Sequence, residues 1–400
     1  MPDQENRELR QIILNRLRSE GPITFADFME TVLYHPQEGY YYSSREKIGA
    51  QGDYYTSPYL HPIFGHLLAR QMRQMWQILD YPSPFWVVEI GAGKGLLCTH
   101  ILHYCQEHFP ELYQELNYLI LEKSPFFQNE QRKLLEKFCA AGKVHQTSLE
   151  VLLKEAKQVI GCIFSNELVD SFPVHLVCQE GGELREIFVD YDGQNFVEVC
   201  AQPSTPLLIE YMQSYAAPLA EGQRAEANLK ALNWLGEIAS ILKRGFLMTI
   251  DYGYEAEELY HPTRQDGTLL CYYQHTTSTN PYVRLGYQDI TAHVNFSALI
   301  KKGESLGLQK NGLIEQYKFL AALGLLRDLE NLEVNRYQFA TPEFLKQKLA
   351  MKSFLVPGGM GTIFKVLMQS KGVEEAYLIG LQDIFASPSR LKKMLATDQS

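Results

Sequence analysis

Phe85-Trp86-Val87-Val88-Glu89-Ile90-Gly91-Ala92-Gly93-Lys94-Gly95 decides how the whole chain is read. An apolar run with an acid near its end reads as a strand, and three glycines at alternate positions follow at once. Such a turn lets backbone approach a ligand where any Cβ would collide. The helix expected from Leu96 to Cys105 begins with amide groups that its own first turn cannot satisfy. A dinucleotide fingerprint would place its third glycine where Leu96 stands, so a pyrophosphate is the poorer match. A nucleoside with an amino-acid tail, such as S-adenosylmethionine, fits Glu89, Gly91, Gly93 and Gly95 better. A tight corner with no ligand is the competing explanation for the glycines alone, so the downstream residues carry the decision.

The next apolar strand, Tyr118-Leu119-Ile120-Leu121, ends at Glu122. An acid at the tip of the second strand is placed to accept hydrogen bonds from ribose hydroxyls. From residue 85 onward strand and helix alternate, with strands near 85–90, 117–122, 143–147 and 159–165. That is the pattern of a doubly wound parallel sheet. Upstream, amphipathic helices over Asn6–Arg18 and about Phe25–Leu33 precede an aromatic turn, His35 to Tyr42, and a helix is expected from about Pro62 to Leu79. Downstream, alternating stretches either side of Gly181-Gly182 predict an antiparallel hairpin within 174–200. A helical region near 206–242 and a strand, Gly245 to Asp251, follow. Residues 252–300 read as polar loops over the active site. Helix, strand and helix run through 297–350, and Gly359 to Leu367 reads as a closing strand.

Composition narrows the function. Of 400 residues, 46% are apolar, 12% aromatic and 21% charged, as in a folded globular protein. The net charge of -10 argues against a nucleic-acid partner, because phosphate neutralisation needs clustered Lys and Arg. Seven cysteines are scattered without a C-x-x-C spacing, which reads as reduced core residues. Neither cysteines nor histidines show metal-ligand spacing, so no metal is expected. The N-terminal helix lacks the apolar centre of a signal peptide, and its acids Asp3, Glu5 and Glu8 are foreign to a transit peptide. No apolar run reaches membrane-spanning length. The expectation is a soluble cytoplasmic protein.

Ligands of open parallel sheets sit beyond the carboxyl ends of the strands. The fourth strand ends in Asn166-Glu167-Leu168-Val169-Asp170, so Asn166, Glu167 and Asp170 should face the glycine turn. Two carboxylates three apart can hold a guanidinium or take a proton from a nucleophile. The structural alternative, compatible with the first, is a helix start capped by Asn166 with acids in its first turn. Asp251-Tyr252-Gly253-Tyr254 repeats the acid at a strand tip, with a tyrosine that either shapes a substrate channel or packs. Gly52-Asp53-Tyr54-Tyr55-Thr56-Ser57-Pro58 suits a flap over a cofactor, or an ordinary loop into a helix. His275 and His293 read as structural hydrogen-bonders.

Taken together, several segments resemble one family. They are Pro36 to Tyr41, Gly52 to Pro58, Val88 to Gly95, Ser165 to Pro173, Ile250 to Tyr254, Asp266 to Leu269, Asp289 to Val294 and Met360 to Phe364. In this order they resemble the MidA-type class I methyltransferases dependent on S-adenosylmethionine. That family includes a mitochondrial protein arginine methyltransferase that assists assembly of a respiratory complex. The resemblance implies an α/β, Rossmann-like core over 83–368, with an inserted substrate lobe at about 174–243 and active-site loops at about 252–296. An N-terminal helical region and cofactor flap would occupy 1–82, and a C-terminal tail 369–400. It implies S-adenosylmethionine as cofactor, with Gly91, Gly93 and Gly95 at its methionine end, Glu122 at its ribose, and Gly52, Asp53, Thr56 and Ser57 in the flap. Glu167 and Asp170 would hold the acceptor, an arginine presented by a protein such as a respiratory complex subunit. A homodimer is compatible with this reading. The chain departs from the family at Tyr59 and Asn295, where acids are usual.

Overall fold

The computed structural model describes residues 5–49, 52–53, 56–334, 341–355 and 363–385. Tyr54, Tyr55, Gly359 to Thr362 and the end of the expected tail lie outside them. The apolar runs become the strands of one central sheet: β1 (Phe85–Ile90), β2 (Leu116–Leu121), β3 (Val144–Thr147), β4 (Val159–Asn166), β5 (Leu242–Tyr254), β6 (Gln309–Glu315) and β7 (Phe364–Lys371). Their order is 6-7-5-4-1-2-3, with Val294–Asn295 added beside the end of β5. Strands β1 to β5 are parallel, and β7 runs antiparallel between β5 and β6.

Strand periodicity sends successive side chains to opposite faces. Val87, Tyr118, Cys162, Phe164 and Phe246 pack beneath the helices Ile63–Ile78 and Leu96–His108. Val88, Leu119, Ile163 and Leu247 pack beneath Leu229–Ile241 and Phe296–Ser305 on the other face. Burial on both faces is why these strands read as continuous apolar runs. The strand order reverses beside β1, with β2 on one side and β4 on the other, and this opens a crevice at their carboxyl ends.

A second, five-stranded sheet forms the lobe inserted between β4 and β5. It joins Glu183–Tyr191, His175–Glu180, Arg224–Ala227 and Phe196–Ala201 to the short N-terminal strand Ile23–Thr24. The helices Arg7–Glu20 and Phe25–Tyr34 share its core, where Leu9, Phe25 and Phe28 meet Leu176, Ile187 and Phe196. The N-terminal region and the lobe therefore form one body. The expected helical region at 206–242 is interrupted by the strand Arg224–Ala227. Its Arg-Ala-Glu-Ala sequence favours helix, but pairing with His175–Glu180 overrides that weak preference. The closing strand falls at Phe364–Lys371, later than its expected position.

Gly161 of β4 is fixed by close approach. A Cβ there would lie 2.0 Å from the Trp86 carbonyl oxygen of β1. Gly161→Ala should lower unfolding free energy by about 3 kcal/mol or more, read by denaturant titration, because neither backbone can retreat within the sheet.

Candidate active site

A cavity of about 1250 Å³ opens above the carboxyl ends of β1, β2, β4 and β5. Pockets for a single small ligand occupy roughly 300–1,000 Å³, so there is room for a cofactor and an acceptor side chain together.

The cofactor end is built on the glycine turn. Gly91 and Gly93 line the cavity with φ of 73° and 53°. A Cβ on Gly91 would meet the Leu168 side chain at 2.8 Å. One on Gly93 would have only Ile48 nearby, at 3.6 Å, within a turn that L-residues rarely adopt. Glu122 lines the same end, and it also braces the turn. Its Oε2 accepts the Gly93 N–H at 3.1 Å and its Oε1 the Ser124 N–H at 2.9 Å. Glu89 lies beneath, 3% exposed, and accepts the Tyr118 hydroxyl at 2.6 Å.

Two expected cofactor glycines fall elsewhere. Gly95 starts the helix Leu96–His108 in a left-handed conformation and lies against Leu135 and Gln131, outside the cavity wall. Gly52 is a turn residue packed on the Lys47 carbonyl, also outside it. Asp53 and Thr56 do line the cavity. The Asp53 carboxylate, however, is engaged by Arg45 at 2.7 Å, the Tyr40 hydroxyl at 2.8 Å and the Gln274 N–H at 2.8 Å. Ser57 is buried and acts on another residue: its N–H donates to Glu167 Oε1 at 3.1 Å.

The opposite end of the cavity grows from the exit of β4. Asn166 ends the strand, and Glu167 takes φ of 53°, unusual for a residue with a Cβ and a conformation that concentrates at functional sites. Glu167 Oε1 also accepts Asn166 Nδ2 at 3.0 Å. The next residues make a short 3-10 turn, Val169–Ser171, whose capping group is Asp251 of β5 rather than Asn166. Asp251 Oδ2 accepts N–H groups of Leu168, Val169 and Asp170 at 3.1, 2.8 and 3.4 Å. This turn aims Asp170 at the cavity, where its Oδ2 accepts the Tyr252 hydroxyl at 2.5 Å. Asn166, Glu167 and Asp170 thus share a wall with the glycine turn.

The two departures from the family pattern lie apart. Tyr59 lines the cavity with a buried hydroxyl that has no hydrogen-bond partner. Asn295 sits outside that wall, where it caps the helix Phe296–Ser305 and binds Tyr211, Tyr215 and Tyr260.

Several lining residues escaped the sequence reading. Tyr34, Tyr41, Tyr272 and Asp289 come from three separate segments and meet only in the fold, where His293, read as structural, joins them. The signal was there in the quoted motifs Pro36 to Tyr41 and Asp289 to Val294, which had no ligand assigned within them. His275, read as structural, also lines the cavity.

Burial dominates the electrostatics. It pushes Glu167 up to about 8, with the Ser57 amide pulling back, and Glu89 and Glu122 up to about 7. Asp170 rises to about 6 for the same reason, opposed by the Tyr252 hydroxyl. His293 is held down to about 4 by burial and is neutral at pH 7. An acidic cavity whose carboxyls resist ionisation is one prepared for a positively charged ligand.

This strand order and glycine turn, with an acid at the tip of the second strand, define a class I methyltransferase dependent on S-adenosylmethionine. A family model described as an S-adenosyl-L-methionine-dependent methyltransferase matches residues 67–314, and the chain belongs to that family. It is 29% identical to the protein arginine methyltransferase NDUFAF7 homolog, mitochondrial, of Drosophila melanogaster, covering 93% of this chain and 86% of that one. It is 26% identical to the NDUFAF7 protein arginine methyltransferase, mitochondrial, of Homo sapiens, covering 78% and 72%. A solved methyl transferase structure from Burkholderia thailandensis, bound to S-adenosyl-homocysteine, superimposes with a TM-score of 0.82 at 28% identity, covering 93% and 94%. S-adenosylmethionine is the cofactor, and Gly91, Gly93, Glu122 and Glu89 have the cradle and the acceptors to fit it. The expected cytoplasmic location is corrected by these relatives, which are named as mitochondrial proteins.

Gly93→Val should cut affinity for S-adenosyl-homocysteine at least about tenfold in titration calorimetry, by straining the turn and filling the cradle. A pH dependence follows as well. Unfolded, the glutamates release their protons near 4.5; folded, Glu89, Glu122 and Glu167 hold them to about 7 or 8. The folded state binds more protons in that window, so stability falls as pH rises through it. The melting temperature of the ligand-free protein should drop between about pH 5 and pH 8, and less steeply in Glu167→Gln.

Proposed function

We propose that the protein transfers a methyl group to an arginine side chain of a protein substrate. The observation that carries this reading is the pairing of Glu167 and Asp170 in one cavity with the tyrosine rings of Tyr34, Tyr252 and Tyr272. Carboxylates and aromatic faces together suit a planar cation. A small-molecule acceptor would call for a closed apolar pocket, and the acids argue against it. Relatives named as protein arginine methyltransferases support the same choice.

Bound S-adenosylmethionine supplies a methyl group on a positively charged sulfur. The protein's own work is positioning and proton management. A guanidinium stays protonated at neutral pH, so its nitrogen needs orientation and, as the new N–C bond forms, a place for its proton. Glu167 serves both needs. Ser57 and Asn166 hold its Oε1, while among the described residues no hydrogen bond reaches Oε2. Arrival of the cationic ligands lowers the raised pKa of Glu167 and ionises it in place. Asp170, steadied by Tyr252, adds a second negative edge. The resemblance points to a respiratory complex subunit as the protein that carries the arginine; a homodimer is compatible with this reading, and sedimentation tests it.

Glu167→Gln should keep its affinity for S-adenosyl-homocysteine and lose about 10²–10⁴-fold in methyl transfer, measured with radiolabelled cofactor on whole-cell protein extract. Weakened cofactor binding with normal turnover would remove Glu167 from this role. Wild-type protein that binds cofactor yet labels nothing would favour a non-catalytic assembly factor.

A further inference from the structure

The acceptor wall contains a third carboxylate that the roles above do not use. Asp289 begins the short strand Asp289–Thr291, which pairs with Leu270–Tyr273 so that Asp289 lies opposite Tyr272. The same segment is fastened to the turn carrying Asp170, because the Ala292 N–H donates to the Asp170 carbonyl at 2.9 Å. Asp289 is 3% exposed and lines the cavity. Its Oδ1 accepts the Tyr41 hydroxyl at 2.8 Å and the Ile290 N–H at 3.0 Å. Among the described residues no hydrogen bond reaches its Oδ2 and no cation pairs with it. Asp170 nearby keeps a buried Oδ1 without a partner.

A carboxyl so deeply buried, held on one oxygen by neutral donors and bare on the other, makes no ion pair among the described residues; burial and the Asp170 carboxyl hold it well above the ordinary carboxylate range, and the Lys47 ammonium acts on it without contact. A tyrosine hydroxyl and one amide orient it without neutralising it. The Tyr41 carbonyl in turn accepts the Ser124 hydroxyl beside the ribose acid, so the same residue ties this wall to the cofactor end. Glu167 and Asp289 approach the cavity from different elements, one from the exit of β4 and the other from the late loop region. A guanidinium has N–H donors on more than one edge in a rigid plane, whereas an ammonium is a single point charge.

Resting on the arginine reading, we propose that Asp289 is a second acceptor-binding carboxylate: Glu167 takes one edge of the guanidinium and Asp289 another. The pair selects a planar cation over an ammonium of similar size. The N-terminal turn that carries Tyr41 thereby takes part in acceptor choice, although it lies outside the methyltransferase core.

Calorimetry with ethylguanidinium and ethylammonium, on protein saturated with S-adenosyl-homocysteine, tests this. Wild-type protein should prefer ethylguanidinium, and Asp289→Asn should weaken it about tenfold or more with affinity for S-adenosyl-homocysteine unchanged. Asp289→Glu, which keeps the charge, should recover most of the loss. Ethylguanidinium binding unaltered in Asp289→Asn would overturn the proposal. So would a parallel loss of S-adenosyl-homocysteine binding, since the residue would then be structural. Wild-type protein that binds neither cation would take down the arginine reading and this role together.

Discussion

The turn that follows β4, with the acids it carries into the cavity, depends on one buried carboxylate. Asp251, fully buried at the end of β5, gathers three amide groups of the turn that follows β4 and takes its own neighbour's N–H at 2.9 Å on the other oxygen. Buried amides left without partners cost free energy, so this cap determines where the turn can go. Glu167 directly precedes the capped residues and Asp170 is the last of them, so the direction of both follows from the cap. Burial and the Asp170 carboxyl both press Asp251 above the ordinary carboxylate range, and the amide donors oppose them. The site therefore places negative groups together at a cost in stability, a common feature of functional sites.

That cost has a use. Acids collected in a cavity lower one another's tendency to ionise, and a cation relieves the conflict. A sulfonium and a guanidinium are both cations. The chain's acidic balance agrees with a cationic ligand.

The glycine turn and the exit of β4 supply one wall of this cavity; others come from the N-terminal turn with Tyr41 and Tyr42, from Asp53, Thr56, Pro58 and Tyr59, and from the late segments with Tyr272 and Asp289. These pieces are held in register by contacts across long sequence distances. Arg45 bridges Asp53 and the Tyr287 carbonyl, Lys94 of the glycine turn pairs with Glu46, and the Ser57 amide meets Glu167. These contacts tie the N-terminal segments both to the glycine turn and to the exit of β4.

Much of this was legible in the chain itself. Continuous apolar runs between helices specify a parallel sheet, because strands covered on both faces read that way, and three glycines after the first run mark the turn. Glu122 and Glu167 were found at strand ends for the same reason: ligand crevices lie there. What local sequence could not convey is pairing. Arg224–Ala227 has a helix-forming sequence and is a strand because His175–Glu180 lies beside it. Gly95 follows the glycine rhythm, yet the helix start carries it away from the cavity. Asp251 looked like one more acid at a strand tip and is a cap, while Asp289, embedded in a motif without an assigned role, faces the cavity. The continuous apolar strands of the central sheet and the glycine turn are set by their own residues and near neighbours, so sequence alone determined them. Which acid meets an amide and which meets a ligand depends on atoms brought together from segments tens to hundreds of residues apart, and only the tertiary structure decides that.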